Sequence, residues 1–409
     1  MENAQPYLSL VVTARNDDHG GNLLGRMQLF VSGWIAQARR HNLPSELIIV
    51  EWNPPADRPP LRDALSWPSE FGPCMVRFVQ VSRELHGRYE HAERLPLYQM
   101  IAKNVGIRRA RAPFVLATNI DILFSDELVA FLASRRLEKD RLYRIDRHDA
   151  MSDVPSGASL DEQLEYCRTH VLRVNKRDGT LSLMADPKQP SSTPARRKKP
   201  PFHFWRKLQG VIDRMADEAP LLTVTTPVPR WLKRIARFYV EWGGISGILR
   251  NGLLLKGPVR KKGIMPAAPK FPSLHTNGCG DFTLMARENW FDLRGYPEFD
   301  LFSMNIDSVF CYSAHYGGAR EEVLPEPMRI YHIEHATGSG WTPEGQDQLF
   351  KRIADKGIGM ISYGDVVGWA EQMRRLNCTM IFNHEDWGLA GLDLLETEPR
   401  PAPAARVGT

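Results

Sequence analysis

The chain has 409 residues, 43% of them hydrophobic and 25% charged, with a formal net charge of +5. That length exceeds one small domain, since domains commonly run to roughly 100–200 residues, and the composition excludes wholesale disorder. No apolar run approaches the ~18–20 residues of a membrane span. The opening MENAQPYLSLVV has no basic stretch ahead of an apolar one, so a cytoplasmic protein without a secretory signal is expected.

The five cysteines, Cys74, Cys167, Cys279, Cys311 and Cys378, are scattered and never form a C-x-x-C pair. A disulfide framework or a zinc ribbon is therefore not expected. Charge is uneven. Residues 196–262 hold 16 Lys and Arg against 4 Asp and Glu, a local +12, so the rest of the chain carries −7. The basic character belongs to one segment.

In chain order, 7–14 (YLSLVVTA) reads as a buried strand ending at the polar Arg15-Asn16-Asp17. A helix follows over 23–41, with Leu24, Met27, Phe30, Val31 and Trp34 on one face. Strands are predicted at 46–51, 76–81 and 114–118, with a helix over 96–110 between the last two. This alternation predicts an α/β fold with a mostly parallel sheet flanked by helices. In such sheets ligands bind beyond the carboxyl ends of the strands. Arg15, Glu51 to Asn53, and Asn119-Ile120-Asp121 fall there.

The middle differs. Residues 186–200 read as a basic linker, and 202–215 and 231–255 as helices mixing apolar, aromatic and basic residues. The expected division is 1–147 for the first half of the core, 148–272 for an insertion, and 273–342 for the second half. C-terminal helices at 343–356 and 364–376 would then fill 343–395, with a disordered tail over 396–409.

Asn119-Ile120-Asp121 alone is weak, because N-x-D often makes only an Asx-turn. Its position at the end of a central strand strengthens it. Magnesium-type ions are commonly held by one or two carboxylates plus substrate phosphates.

The landmarks LSLVVTARNDD, KNVGIRRARAPFVLATNIDILF, Gly280-Asp281-Phe282 through Leu293-Arg294-Gly295-Tyr296-Pro297-Glu298, and Met304-Asn305-Ile306-Asp307 occur in this order. Together they resemble bacterial glycosyltransferases with the GT-A fold, of the family-2-like inverting type. The resemblance covers roughly 1–135 and 273–340 and says little of the insertion.

It implies a Rossmann-like nucleotide-binding core and transfer of a sugar from a nucleotide sugar, with UDP as the expected carrier, to a glycan or lipid-linked hydroxyl. Asp307 matches the family's general base, although a helix N-cap is the simpler role for such an Asp. Asp121 matches the metal-binding Asp of its D-x-D, and His335, with His332 second, matches a downstream ligand for Mn2+ or Mg2+. Without that family context, both are ordinary surface or core histidines. The nucleotide-sugar candidates are Thr13, Arg15, Glu51, Asn53, Lys103, Asn104, Asn119 and Asp281, each with ordinary loop hydrogen bonding as its alternative. Three departures stand out: Asn119 replaces the first acid of D-x-D, Ile306 replaces the Glu before the base, and Lys103 replaces an Arg.

Residues 196–262 also carry Phe202, Phe204, Trp205, Trp231, Phe238, Tyr239 and Trp242. That mixture suits a helix lying on anionic lipid at the inner face of a membrane, or equally a basic solvated face packing its aromatics inward. No recognition motif supports nucleic acid as a partner. Beside the enzyme stands a second class, a non-catalytic GT-A-like protein binding glycan or membrane, which Asn119 and Ile306 keep open. A nucleotidyltransferase is weaker, because a G-x-G-x-R loop is missing after the first strand.

Overall fold

The computed structural model describes residues 5–183, 271–335 and 341–403. The expected linker (186–200) and the two expected basic helices (202–215 and 231–255) lie outside the described residues. Every described residue belongs to one packed unit, 1–184 together with 268–409.

The first half alternates as expected: β1 (Leu8–Ala14), α1 (Leu23–Arg40), β2 (Ser45–Trp52), α2 (Leu61–Ala64), β3 (Cys74–Val81), α3 (Arg83–His86), α4 (Gln99–Arg108) and β4 (Phe114–Thr118). Strands β1, β2 and β3 are buried almost throughout, which is why they read as continuous apolar runs. Successive side chains still divide between two faces. Leu10, Val12, Leu47 and Ile49 pack with Met27, Phe30, Val31 and Trp34 of α1. Val11, Ile48 and Val50 pack with Ile101 and Val105 of α4. Helix α4 comes in close at Gly106, where a Cβ would stand 2.5 Å from Val11 Cγ1 and 3.1 Å from Val50 Cγ2. The glycine of the K-N-x-G run is there for that approach.

Next come β5 (Ile122–Phe124), α5 (Asp126–Ala133), β6 (Arg141–Ile145), β7 (Arg147–Ala150), α6 (Leu160–Thr169), β8 (Val171–Lys176) and β9 (Gly179–Ser182). After the undescribed stretch follow β10 (Phe282–Ala286), α7 (Arg287–Asp292), α8 (Ile306–Tyr316), β11 (Arg320–Leu324), β12 (Ile330–Ile333), α9 (Gln346–Asp355), α10 (Tyr363–Leu376) and β13 (Leu395–Thr397).

The large sheet has the order β11-β6-β10-β4-β1-β2-β3-β13, and only β10 and β13 run against the other six strands. This mixed α/β architecture, a mostly parallel sheet flanked by helices, is the expected class and is consistent with a GT-A-like fold. A second sheet, β5-β12-β7-β8-β9, lies beyond the carboxyl end of β4 in the chain. Residues 148–183, assigned by sequence to the insertion, thus supply strands β7 to β9 and helix α6 to the same unit as the core.

The order also extends past Glu396. β13 pairs with β3, and Glu396 makes an ion pair with Arg77 at 2.7 Å. The expected disordered tail therefore begins with paired backbone; residues 404–409 lie outside the described residues. The two C-terminal helices stand close to their expected bounds, and α10 opens on a Ser362–Asp365 capping box.

Candidate functional site

Strand register builds the site. β10 runs antiparallel to β4 with Phe282 opposite Thr118, so Asp281 and Asn119, the residues just beyond that pair, stand side by side. Asn119 Nδ2 donates to Asp281 Oδ1, and Asn119 Oδ1 accepts from Gln99 at 3.0 Å. In the second sheet, His332 lies opposite Ile122 of β5 and beside Asp149 of β7. That places its ring between two carboxylates, with Nε2 3.8 Å from Asp121 Oδ2 and Nδ1 3.6 Å from Asp149 Oδ1. His335, just past β12, brings Nε2 to 3.5 Å from Asp121 Oδ2.

Asp307 reaches the same region from α8. The N-cap of that helix is Asn305, with φ 63°. The capping alternative for Asp307 therefore does not hold: it sits within the first turn and accepts from Ser308 N at 2.9 Å. A Cβ at Gly280 would lie 2.9 Å from Asp307 Oδ2. A side chain at 280 would press on that carboxylate, and the glycine leaves it in place.

Lys103 is fully buried under this turn, with Nζ donating to Gly280 O at 2.7 Å. Burial pulls its pKa down to about 8, while Asp281, Asp307 and Asp121 pull it up. Burial by itself would raise the Asp281 carboxyl, but Arg147, then His332 and Lys103, outweigh it and hold the group at about 2. For Asp307 burial wins, and its pKa lies above the ordinary carboxylate value despite the Cys279 thiol and Lys103. Burial brings His335 down to about 3, with His332 and Arg26 adding to the effect and Asp121 opposing it. His335 is thus an uncharged imidazole at neutral pH, the form that ligates metals.

The Asp121, His332 and His335 donor atoms lie within 4.8 Å of one another. Asp121 is 6% exposed, and its Oδ1 is buried without a hydrogen-bond partner among the described residues. One orphaned carboxylate oxygen and two imidazoles make a donor set that suits a divalent transition-type ion. A neighbouring trio, Asp149, His332 and Glu334, has similar spacing. Its carboxylates, however, are held by arginines: Arg173 pairs with both Asp149 and Glu334, and Arg147 pairs with Asp149 at 2.8 Å. That trio is an ion-pair network.

A cleft of about 590 Å³ opens at the carboxyl ends of β1, β2 and β3, a size that takes a small-molecule ligand. Arg15, Asn53, Arg83, His86, Arg94 and Lys356 line it. Arg15 Nε donates to Asn53 O at 2.7 Å, and Asn53 itself has φ 47°. Trp52 Nε1 donates to His86 Nδ1 at 2.8 Å, so His86 Nε2 carries the proton and donates to Ala92 O at 2.9 Å. The 96–100 stretch joins this cleft to the carboxylates: Pro96 O accepts from Asn53, and Gln99 donates to Asn119.

The other expected nucleotide residues do not line this cleft. Thr13 Oγ1 donates to Val50 O at 3.2 Å inside the sheet. Glu51 is 2% exposed and accepts from Leu61 N at 2.8 Å, which fastens the loop after β2. Asn104 is fully buried, donates to Tyr296 O at 2.8 Å and Glu298 Oε1 at 2.9 Å, and accepts from Tyr296 N at 2.8 Å. Its amide holds the 294–298 loop in place of the expected nucleotide contact. Trp387 is buried against Phe291.

Arg26, Arg147, Asp149 and Arg173 escaped the sequence reading. The signal for three of them was available: Arg147 and Asp149, then Arg173 and Asn175, alternate at period two, which puts charges on one face of adjacent strands. Arg26 gave no local signal on an amphipathic helix.

No protein-family model matches the chain, and no curated protein matches it. Similar solved structures include S. aureus TarS, at 12% identity and TM-score 0.32, covering 88% of this chain and 42% of that one, and S. aureus TarS 1-349 in complex with UDP, at 11% identity and TM-score 0.32, covering 88% and 68%. The chain thus spans less than half the length of the first. A likeness this distant leaves the reading of the site to the residues themselves.

Proposed function

We propose that the protein is a glycosyltransferase moving a sugar from a nucleotide sugar, expected to be a UDP-sugar, to a hydroxyl of a glycan or lipid-linked acceptor. The observation that carries this reading is the convergence of Asp121 and Asp281, at the strand ends, and Asp307, in the first turn of α8, around buried Lys103, joined by residues 96–100 to a cation-lined cleft. The resemblance of the ordered sequence landmarks supports the same reading.

In this reading Arg15 and the neighbouring cations of the cleft bind the nucleotide's anionic part. Asp121, His335 and His332 would hold a divalent ion, Mn2+ or Mg2+, which as a Lewis acid offsets the charge on the departing diphosphate. Asp307 accepts the proton of the attacking acceptor hydroxyl, and the burial that raises its pKa makes it the stronger base. Attack from the face opposite the leaving group inverts the anomeric carbon, as the resemblance implies. Asp281, held ionised by Arg147 and oriented by Asn119, is a positioning group for the donor sugar. Lys103 restrains the mutual repulsion of the three carboxylates without touching ligand.

A cytoplasmic location and contact of 196–262 with the inner face of a membrane belong to the proposal. Among the described residues no helix is long and apolar enough to cross a membrane. So does the division into two core halves, insertion and C-terminal helices.

A thermal-shift panel of nucleotide sugars, each with and without Mn2+, on wild type and Asp121→Ala tests the reading, since a ligand bound to the folded state raises Tm by mass action. A metal-dependent rise with one UDP- or GDP-sugar, absent in the variant, is the expected result. A flat panel on folded protein favours the non-catalytic glycan- or membrane-binding alternative.

A further inference from the structure

Arg26 stands one turn into α1 and is 4% exposed. Its Nη1 donates to Asp121 Oδ2 at 2.7 Å. Nη2 donates to His19 O at 2.6 Å and Gly21 O at 3.2 Å, and Nε also faces Gly21 O at 3.3 Å. One guanidinium therefore grips the candidate metal carboxylate on one side and the 19–21 turn on the other. That turn is wedged in place: Gly20 and Gly21 have φ 76° and 75°, and a Cβ at Gly20 would lie 3.0 Å from His335 Nδ1 and 3.1 Å from Arg26 Nη2.

The charge balance follows. Asn119 stands where the resembled motif has its first acid, and its amide is committed to Asp281 and Gln99. Asp121 is then the one carboxylate of the Asp121–His332–His335 group, and Arg26 already neutralises it at contact distance. An incoming cation must share that carboxylate with a fixed positive charge or displace it, in a poorly solvated place where Coulomb terms are large. An anionic diphosphate alongside would relieve the repulsion by attracting both cations.

We propose that Arg26 is a positioning residue that keeps the affinity of the Asp121–His332–His335 group for divalent cations low and makes cation binding depend on a diphosphate bound beside it. The inference rests on reading that group as the metal site. Cation and diphosphate then bind with positive coupling, each raising the affinity for the other by the same factor. Neither alone displaces the guanidinium; together they do.

The test is Mn2+ titration of the full-length protein, following the electron paramagnetic resonance signal of free aqueous Mn2+, without and with saturating UDP and with protein-free blanks for the Mn–UDP complex. Arg26→Gln keeps an N–H for the His19 and Gly21 carbonyls but removes the charge, whereas Arg26→Lys keeps the charge. Without UDP, Arg26→Gln is expected to bind Mn2+ at least about tenfold tighter than wild type, with Arg26→Lys close to wild type. UDP is expected to tighten Mn2+ about tenfold or more in wild type and clearly less in Arg26→Gln.

Arg26→Gln binding no tighter than wild type, while Asp121→Asn loses Mn2+, overturns the role of Arg26 and leaves the metal site standing. Failure of every protein to bind Mn2+ under any condition, or unchanged binding in Asp121→Asn, overturns the metal reading itself. If Arg26→Gln loses its cooperative melt, the wild-type comparison decides: Mn2+ affinity unaffected by UDP refutes the coupling.

Discussion

Replacing Asp281 by Asn removes a charge from the centre of the site while keeping its size. The carboxylate is 4% exposed, ion-paired to Arg147 and bonded by Asn119. Its pKa is held at about 2 against an ordinary 3.8. That gap corresponds to about 2 kcal/mol of stability at pH 7. Because the folded value is the depressed one, the contribution is fully present above the unfolded pKa and is lost as pH falls toward the folded one, with about half gone by pH 3. Arg147 keeps Asp149 as a partner at 2.8 Å, so the variant does not strand a buried cation. We therefore expect Asp281→Asn to lower unfolding free energy by about 2–3 kcal/mol at pH 7, and the deficit to shrink steadily in acid. Urea denaturation of both proteins at pH 7, 5, 4 and 3 measures it. A deficit below about 0.5 kcal/mol at pH 7, or one equal at pH 3 and pH 7, would refute the reasoning, since either requires that the carboxylate gains nothing from its partners.

Asp307→Asn should lower kcat by about 10²–10⁴-fold with nucleotide-sugar affinity retained, in a UDP-release assay with acceptor; a variant within tenfold of wild type removes Asp307 as base. Since burial raises the pKa of Asp307, and the base acts deprotonated, the acid limb of wild-type kcat/KM should fall above the ordinary carboxylate range, and a limb at or below about pH 4 speaks against the assignment. Arg15→Ala should weaken UDP binding by about tenfold or more in calorimetry, the loss of a charge-assisted contact, whereas unchanged affinity would mean that the 590 Å³ cleft is not the nucleotide site. Asn104→Ala should cost about 2–3 kcal/mol by stranding Tyr296 and Glu298 partners, with UDP affinity unchanged; stability preserved with affinity lost would restore the ligand role read from the sequence.

The sequence by itself determined the sheet's centre and most of the acidic groups. β1 to β4 are short runs buried on both faces, so their apolarity is local and visible; Asp121, Asp281 and Asp307 follow or precede such runs at places where strands and helices end. It could not show what each group touches. Asn119 meets Asp281 across 162 residues and Arg26 meets Asp121 across 95, and both contacts depend on which strands pair and in what register. Local periodicity reports which way a side chain points and is silent on its partner. For the same reason Asn104, Glu51 and Thr13 read as ligand contacts from their positions, yet tertiary packing closes their polar atoms onto neighbouring loops and strands. The β7–β8 charges show the other side of this: Arg147, Asp149 and Arg173 look like solvated surface in the chain, and only the pairing of β7 with β12 and β8 buries Asp149 and Arg173, and partly buries Arg147, beside His332. Burial is what turns those charges into an obligate network, because an ion taken out of water must find its counter-ion in the fold.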